Sequence, residues 1–329
     1  MHTATDGEHL RQEIAAISER IAENERALSR LRPSTAAPNP PGVLAAKGNG
    51  DAPIQPAAEE HGVYLYGIAG QDPSLWPGEL PGIDPDLPVF QIPYRDICAV
   101  VSEVPLLEYG PVGLKAKLNN MQWVLSAAQS HEDILMSNGA TIIPMRFCTI
   151  CHTATSVQEV LARYYDRFVA ALARLDGKQE WALKVTCDRE QLARRVEETS
   201  DRARELRARM AQQSSGVAYF LSKKLEEVVA GEVERACAAR IEYIHDRLSG
   251  QADESVVNPL QKRETAGRSE EMVLNAAYLV AQGQWDAFRA EMARLAEEHR
   301  EMGFSFELTG PWPPYHFVDN ELGEGIDHE

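Results

Sequence analysis

What most constrains the fold of this chain is an order of segments that it runs through twice. Between residues 62 and 175 the β-rich run VYLYGI ends at glycine and a Pro-rich irregular stretch follows it. VFQIPYRD and ICAVVSEVP then read as two strands, close enough to pair as a hairpin around Arg95 and Asp96. A helix-patterned segment from about 114 to 138 is broken by SNG, TIIPMRFCTI returns as a strand, and residues 155–175 form an amphipathic helix. Between 181 and 309 the strand WALKVTCD is followed by a helical hairpin or kinked pair over about 190–248. MVLNAAYLV, a strand or a buried helix start, comes next, then the helix QWDAFRAEM and the strand FSFELTG. The economical fold is α+β, with two ferredoxin-like domains over residues 61–178 and 179–318, the second holding the α-helical insert.

The preceding residues differ in kind. Leu10, Ile14, Ile17, Ile21, Asn24, Leu28 and Leu31 follow the alternating four and three spacing of a coiled-coil seam, about three heptads long. So short a helix is marginal alone, which points to self-association, pairing with a second protein or docking on its own body. From residue 33 to 60, six prolines and three glycines make a linker too poor in large apolar residues to build a core. Residues 319–329 read as an acidic tail.

Charge narrows the functional classes. Fifty Asp and Glu against 33 Lys and Arg give a formal charge of −17, which repels phosphate backbones and anionic lipid. No nucleic-acid or membrane partner is expected. The longest uncharged apolar run, MVLNAAYLVA at 272–281, is about half of a bilayer span, and the first residues lack the pattern of a secretory signal. A soluble, cytoplasmic protein is expected.

Cys148, Cys151 and His152 have the C-x-x-C-H spacing of covalent haem attachment. That chemistry belongs to an exported, oxidising compartment, for which this chain carries no signal. Zinc would need a second ligand pair, and a redox pair would want its first Cys at a helix N-terminus. The simpler reading is two small apolar residues at the end of a strand. A cytoplasmic redox or haem protein stays as the alternative function. Otherwise the histidines are scattered, no phosphate-binding glycine loop occurs, and no catalytic set, metal site or cofactor is expected; His131, beside Glu132 and Asp133, reads as a helix cap or surface pair.

Five segments carry a resemblance: VYLYGI at 63–68, HEDILMSNGATIIPMRFCTI at 131–150, GVAYFLSKKLEE at 216–227, MVLNAAYLV at 272–280 and FELTGPWPPYHFV at 306–318. Over about 61–318 the chain resembles the GvpF/GvpL family of gas vesicle proteins. The resemblance implies a two-domain, non-enzymatic accessory or minor structural protein of the vesicle that binds its principal shell protein. Family members typically carry a small residue, often glycine, after Arg-Phe, so Cys148 stands in that place and is not a shared feature. The coiled coil and linker extend beyond the family core.

A shell subunit lining a gas-filled space is strongly apolar, and an accessory protein can keep it from aggregating by covering that surface. The expected contact is PWPPYHF, where Pro311, Trp312, Pro314, Tyr315 and Phe317 put aromatics on a stiff backbone, with Trp312 alternatively a plug on its own domain. Arg146 either anchors a partner carboxylate or pairs with Glu103 or Asp96. Other accessory gas vesicle proteins and a second copy, through residues 8–32, complete the expected partners. Tyr64 and Tyr66 point to one side of their strand, and Lys223, Lys224, Glu226 and Glu227 read as a solvated helix face.

Overall fold

A computed structural model describes residues 60–319, apart from residue 73, residues 77–79 and residues 261–269. The coiled-coil segment with Leu10, Ile14, Ile17, Ile21, Leu28 and Leu31, nearly all of the linker, and the tail beyond Asp319 lie outside those residues.

The described chain is a mixed α/β fold with two antiparallel sheets. The first contains β1 (His61–Gly70), β2 (Val89–Tyr94), β3 (Ile97–Pro105), β4 (Ile142–Pro144) and β5 (Ile150–Cys151). Their order is β2-β3-β1-β4, with β5 also pairing β1. Central β1 is buried on both faces between its two end residues, which is why VYLYGIA is apolar without alternation. The expected hairpin is present: Tyr94 pairs with Ile97, and Arg95 in the turn takes a φ of 56°. A bulge between Leu65 and Gly67 shifts the pleat, so Val63 and Leu65 share a core with Ile68. A Cβ on Gly67 would come 2.7 Å from both the Ile142 side chain and the Ile143 carbonyl, so glycine lets β4 close on β1.

The second sheet contains β6 (Lys178–Asp188), β7 (Glu254–Val257), β8 (Glu270–Ala281) and β9 (Phe304–Trp312), in the order β7-β8-β6-β9. MVLNAAYLV is thus strand. The short β7 was not anticipated.

Several helices divide where the sequence suggests continuity. Instead of one helix over 114–138 there are α1 (Leu106–Tyr109), α2 (Pro111–Leu118) and α3 (Met121–Met136). Asn120 starts α3, its Oδ1 accepting the N–H groups of Gln122 (3.1 Å) and Trp123 (3.3 Å). Residues 155–175 split at Tyr164 into α4 (Ala154–Arg163) and α5 (Tyr165–Leu175). The helical insert is three helices rather than two, α6 (Arg189–Thr199), α7 (Asp201–Met210) and α8 (Ser215–Ser249). Ser200 separates the first two by capping the Ala203 N–H at 3.1 Å, whereas Gly231 does not interrupt α8. The last helix is α9 (Trp285–Arg300).

Three cores order the layers. Tyr64, Tyr66 and Val100 pack under α3 and the Pro-rich loop, where Trp76 and Ile83 contribute. On the opposite face of the first sheet, Val63, Leu65 and Val101 meet α4 and α5 through Val157, Leu161, Phe168 and Leu175. This same core takes in Ala277 and Leu279 of β8, so it joins the two sheets. Their neighbours Ala276, Tyr278 and Val280 point the other way, onto Ile244 and Leu248 of α8 and Phe288 of α9.

Candidate interaction site

Residues 310–319 cross from the second sheet to the first as a strap. Gly310, with φ 131°, lies where a Cβ would come 2.9 Å from the Glu180 carbonyl and 3.0 Å from the Trp181 ring, so no larger residue fits the start of the crossing. The Gly310–Pro311 peptide is cis. Trp312 is half-buried at the end of edge strand β9, and its Nε1 donates to Thr309 Oγ1 at 3.2 Å. Pro311 and Pro314 are also half-buried. A single turn over Tyr315–Phe317 then brings Phe317 into the core that joins the sheets, where it is 4% exposed.

Polar groups from both halves hold this strap. Glu180 of β6, 2% exposed, accepts the His316 N–H through Oε2 at 3.0 Å and lies 2.6 Å from His316 Nδ1 through Oε1. Asn258 Nδ2 donates to His316 Nε2 at 3.2 Å, which leaves the imidazole proton on Nδ1 for Glu180. From α5, Arg174 donates to the Phe317 carbonyl and, at 2.7 Å, to both carboxylate oxygens of Glu254; Arg167 meets Asp319 at 2.5 Å.

Tyr315 makes the longest-range link. Its hydroxyl is 3.1 Å from Nε2 of His131 in α3, and Nδ1 of that imidazole is 3.0 Å from the Tyr64 hydroxyl. The Tyr64 hydroxyl in turn accepts the Cys148 N–H at 2.9 Å. His131 is buried, not a cap or surface residue, and burial lowers its pKa from the ordinary histidine value to about 3. The imidazole is therefore neutral and fixed by its two phenols. Burial also raises the Tyr64 pKa well above the usual phenol value.

The C-x-x-C-H residues diverge. TIIPMRFCTI is not a single strand: residues 145–149 form a turn, with Thr149 N and Oγ1 donating to the Arg146 carbonyl at 3.1 and 2.7 Å. Within that turn Cys148 has a φ of 65°, the left-handed region that glycine enters at least cost. Cys148 packs with the Tyr64 core on one face of the first sheet, Cys151 with the α4 core on the other, and His152 is exposed. Burial pushes the Cys148 thiol up to about 12, opposite to the shift of a reactive thiol. The redox or haem alternative is not supported. Among the described residues no group of three or more His, Cys, Asp and Glu is placed to hold a metal, and no helix is long and apolar enough to cross a membrane.

Of the residues expected to contact a partner, the structure brings Pro311, Trp312, Pro314, Tyr315 and Phe317 together in the strap. Half-buried Arg146 sits in the β4–β5 turn, within the same N-terminal half as His131. Sequence reasoning missed Glu180, Arg174 and His316, and read His131 as a cap or surface residue although it is buried. A carboxylate inside the β-rich KQEWALKV was the available signal for Glu180.

Against known proteins, the family described as gas vesicle synthesis protein GvpL/GvpF matches residues 62–319. The chain belongs to this GvpL/GvpF family. Gas vesicle protein L of a Streptomyces species is 31% identical over 259 residues, 78% of this chain and 92% of that protein. Gas vesicle protein F of the same Streptomyces strain is 27% identical, over 78% of this chain and 99% of its own length. Among solved structures, the crystal structure of GvpF from Anabaena sp. matches with a TM-score of 0.58 at 20% identity, covering 78% of this chain and 98% of that one. The family match thus covers the two sheets and the strap and begins at residue 62.

Proposed function

We propose that this chain is a non-enzymatic accessory or minor structural protein of gas vesicle assembly that binds the small hydrophobic shell protein and assists nucleation or growth of the vesicle. The observation that carries this reading is the family match over residues 62–319, which takes in both sheets. Its place is the cytoplasm and the gas vesicle, with other accessory gas vesicle proteins as further partners. An apolar shell subunit needs its surface covered until it joins the wall, and a protein with an edge strand and half-buried aromatics can cover it. Trp312 on edge strand β9, flanked by Pro311 and Pro314, is the proposed contact, with Tyr315 and Arg146 at its margin and Phe317 as the anchor beneath. Residues 8–32 are proposed to self-associate.

The division into domains at 61–178 and 179–318 and their ferredoxin-like character belong to the same proposal. Both sheets support it by running second, third, first, fourth strand. The second has helices at both crossovers, whereas the Pro-rich loop replaces the first crossover helix of the other.

The test is co-purification of the tagged chain with shell protein made in the same cells. Shell protein kept soluble on the tag is the expected result, and Trp312→Ala should reduce it with the melting temperature unchanged. Shell protein that aggregates as much with the chain as without it would sink the proposal.

A further inference from the structure

The long helix α8 leads two lives. From Val233 onward its buried side chains belong to the core beneath β8. Its first turns rest mainly on α7, with Leu221, Leu225 and Val228 against Ala203, Leu206 and Met210. Roughly 100° around the helix from that contact runs a second stripe, Val217, Phe220, Lys224, Glu227 and Gly231, spaced three, four, three and four residues apart.

Nothing within the described residues explains this stripe. Phe220 is 75% exposed and Val217 45% exposed. Lys224 and Glu227 have no ion-pair partner among the described residues, although neighbouring Lys223 pairs with Glu226 at 2.8 Å. Gly231 lies inside a 35-residue helix, where glycine costs about 1 kcal/mol relative to alanine. A Cβ at Gly231 would meet nothing within 4 Å, so no packing inside the chain calls for glycine. It leaves a notch on an open helix face.

We propose that this stripe is the contact for a second copy of the chain, with two α8 helices crossing antiparallel about a two-fold axis between Leu225 and Glu226. That axis sets Phe220 over the partner's Gly231 and Lys224 against the partner's Glu227, and symmetry repeats both contacts. Val217 then lies along the stem of the partner's Glu234. A bulky knob meets a hole that only glycine leaves, and each unpaired cation meets an unpaired carboxylate. The wider charge pattern agrees. Residues 200–224 carry six basic residues against two acidic ones, whereas residues 225–234 carry four acidic and no basic ones, so the antiparallel crossing sets the basic arm of each copy beside the acidic stretch of the other. The contact is independent of residues 8–32 and of the shell-protein reading.

Light scattering on the full chain, as it elutes from a sizing column across a concentration series, tests the proposal. A dimer is expected in which Phe220→Glu and Gly231→Leu each raise the dissociation constant on the order of tenfold or more, with the circular dichroism of the dilute chain unchanged and its melting temperature not lowered, Gly231→Leu raising it because a helix-favouring residue replaces glycine in open space. Lys224→Glu should weaken the dimer and Lys224→Glu with Glu227→Lys should restore it, because the exchange rebuilds the pair. A chain that stays monomeric up to about 100 µM, equivalent to less than about 5.5 kcal/mol of association free energy, overturns the proposal. So does a dimer that survives Phe220→Glu and Gly231→Leu, which assigns association to another surface such as residues 8–32.

Discussion

Trp312, Tyr315 and Phe317 in the strap and Tyr219 and Phe220 on α8 are aromatics set in short stretches of similar look, yet the chain disposes of them differently. The strap is drawn inward, with Phe317 in the core between the sheets, Tyr315 on His131 and the backbone held by Glu180 and Arg174. Tyr219 and Phe220 stay in solvent on a helix that has one neighbour at that level. The difference lies in how many elements converge. Where α3, α5, β6 and β9 meet, an aromatic finds both apolar cover and a hydrogen-bond partner; at the end of a two-helix arm it finds neither.

The largest effect is expected from removing the deepest strap residue. Phe317→Ala should cost about 3–5 kcal/mol in denaturant unfolding, as for other fully buried phenylalanines. A loss below about 1 kcal/mol, in the range of a surface substitution, would mean that the strap lies on the fold without holding it.

Acid probes the same region through His131. Its folded pKa is depressed to about 3, against about 6.5 in an unfolded chain, because burial penalises the imidazolium. The neutral ring therefore stabilises the fold fully above about pH 6.5, and this contribution drains away as the pH falls toward 3. The slope from this one proton is at most about 1.4 kcal/mol per pH unit. Unfolding followed across that window should show the slope in the parent chain and a flatter profile in His131→Gln. Equal slopes would place the acid sensitivity elsewhere.

The two regions also differ in how far they could be read from the sequence. β1, the β2–β3 hairpin, β6 and β9 were legible because β-branched and aromatic runs bounded by turn residues are local signals, whereas MVLNAAYLV, an apolar run without alternation, left β8 open between a strand and a buried helix start. The breaks at Asn120, Tyr164 and Ser200 were not, since apolar periodicity continues across them; a single side-chain cap decides the matter at Asn120 and Ser200, and at Tyr164 the backbone leaves the helical region with no side-chain cap at all. β7 was lost in a stretch of turn residues, being four residues that form a strand by pairing with β8. In the strap, the aromatic cluster was visible and its orientation was not: Tyr315 and His131 are 184 residues apart, and no local pattern carries a contact of that range. Cys148 shows the opposite case. Its spacing to Cys151 and His152 suggested chemistry, whereas the turn gives it a glycine-like φ and sends the two thiols to opposite faces of the sheet.

A smaller effect separates the strap's hydrogen bond from its apolar anchor. Tyr315→Phe keeps the ring and removes the oxygen facing His131 Nε2, which leaves a buried ring nitrogen without that partner. About 1–3 kcal/mol should be lost. The same substitution in a His131→Gln background should cost less, because the interaction is already altered. Equal costs in the two backgrounds would show that the hydroxyl acts through another neighbour.

The smallest expected effect completes the comparison from its other side. Phe220→Ser removes an aromatic about as large as Phe317, but a side chain 75% exposed gives up little cover on unfolding, so the change should stay within about 0.5 kcal/mol in dilute solution. Raising the protein concentration alters this expectation for the parent chain alone. If copies associate through α8, mass action raises the parent's apparent stability with concentration while Phe220→Ser stays flat, since a contact made only by folded chains stabilises them. A loss of more than about 1 kcal/mol in the dilute limit would instead place Phe220 among the residues that hold the α7–α8 arm together, and the contrast with Phe317 would then be one of degree.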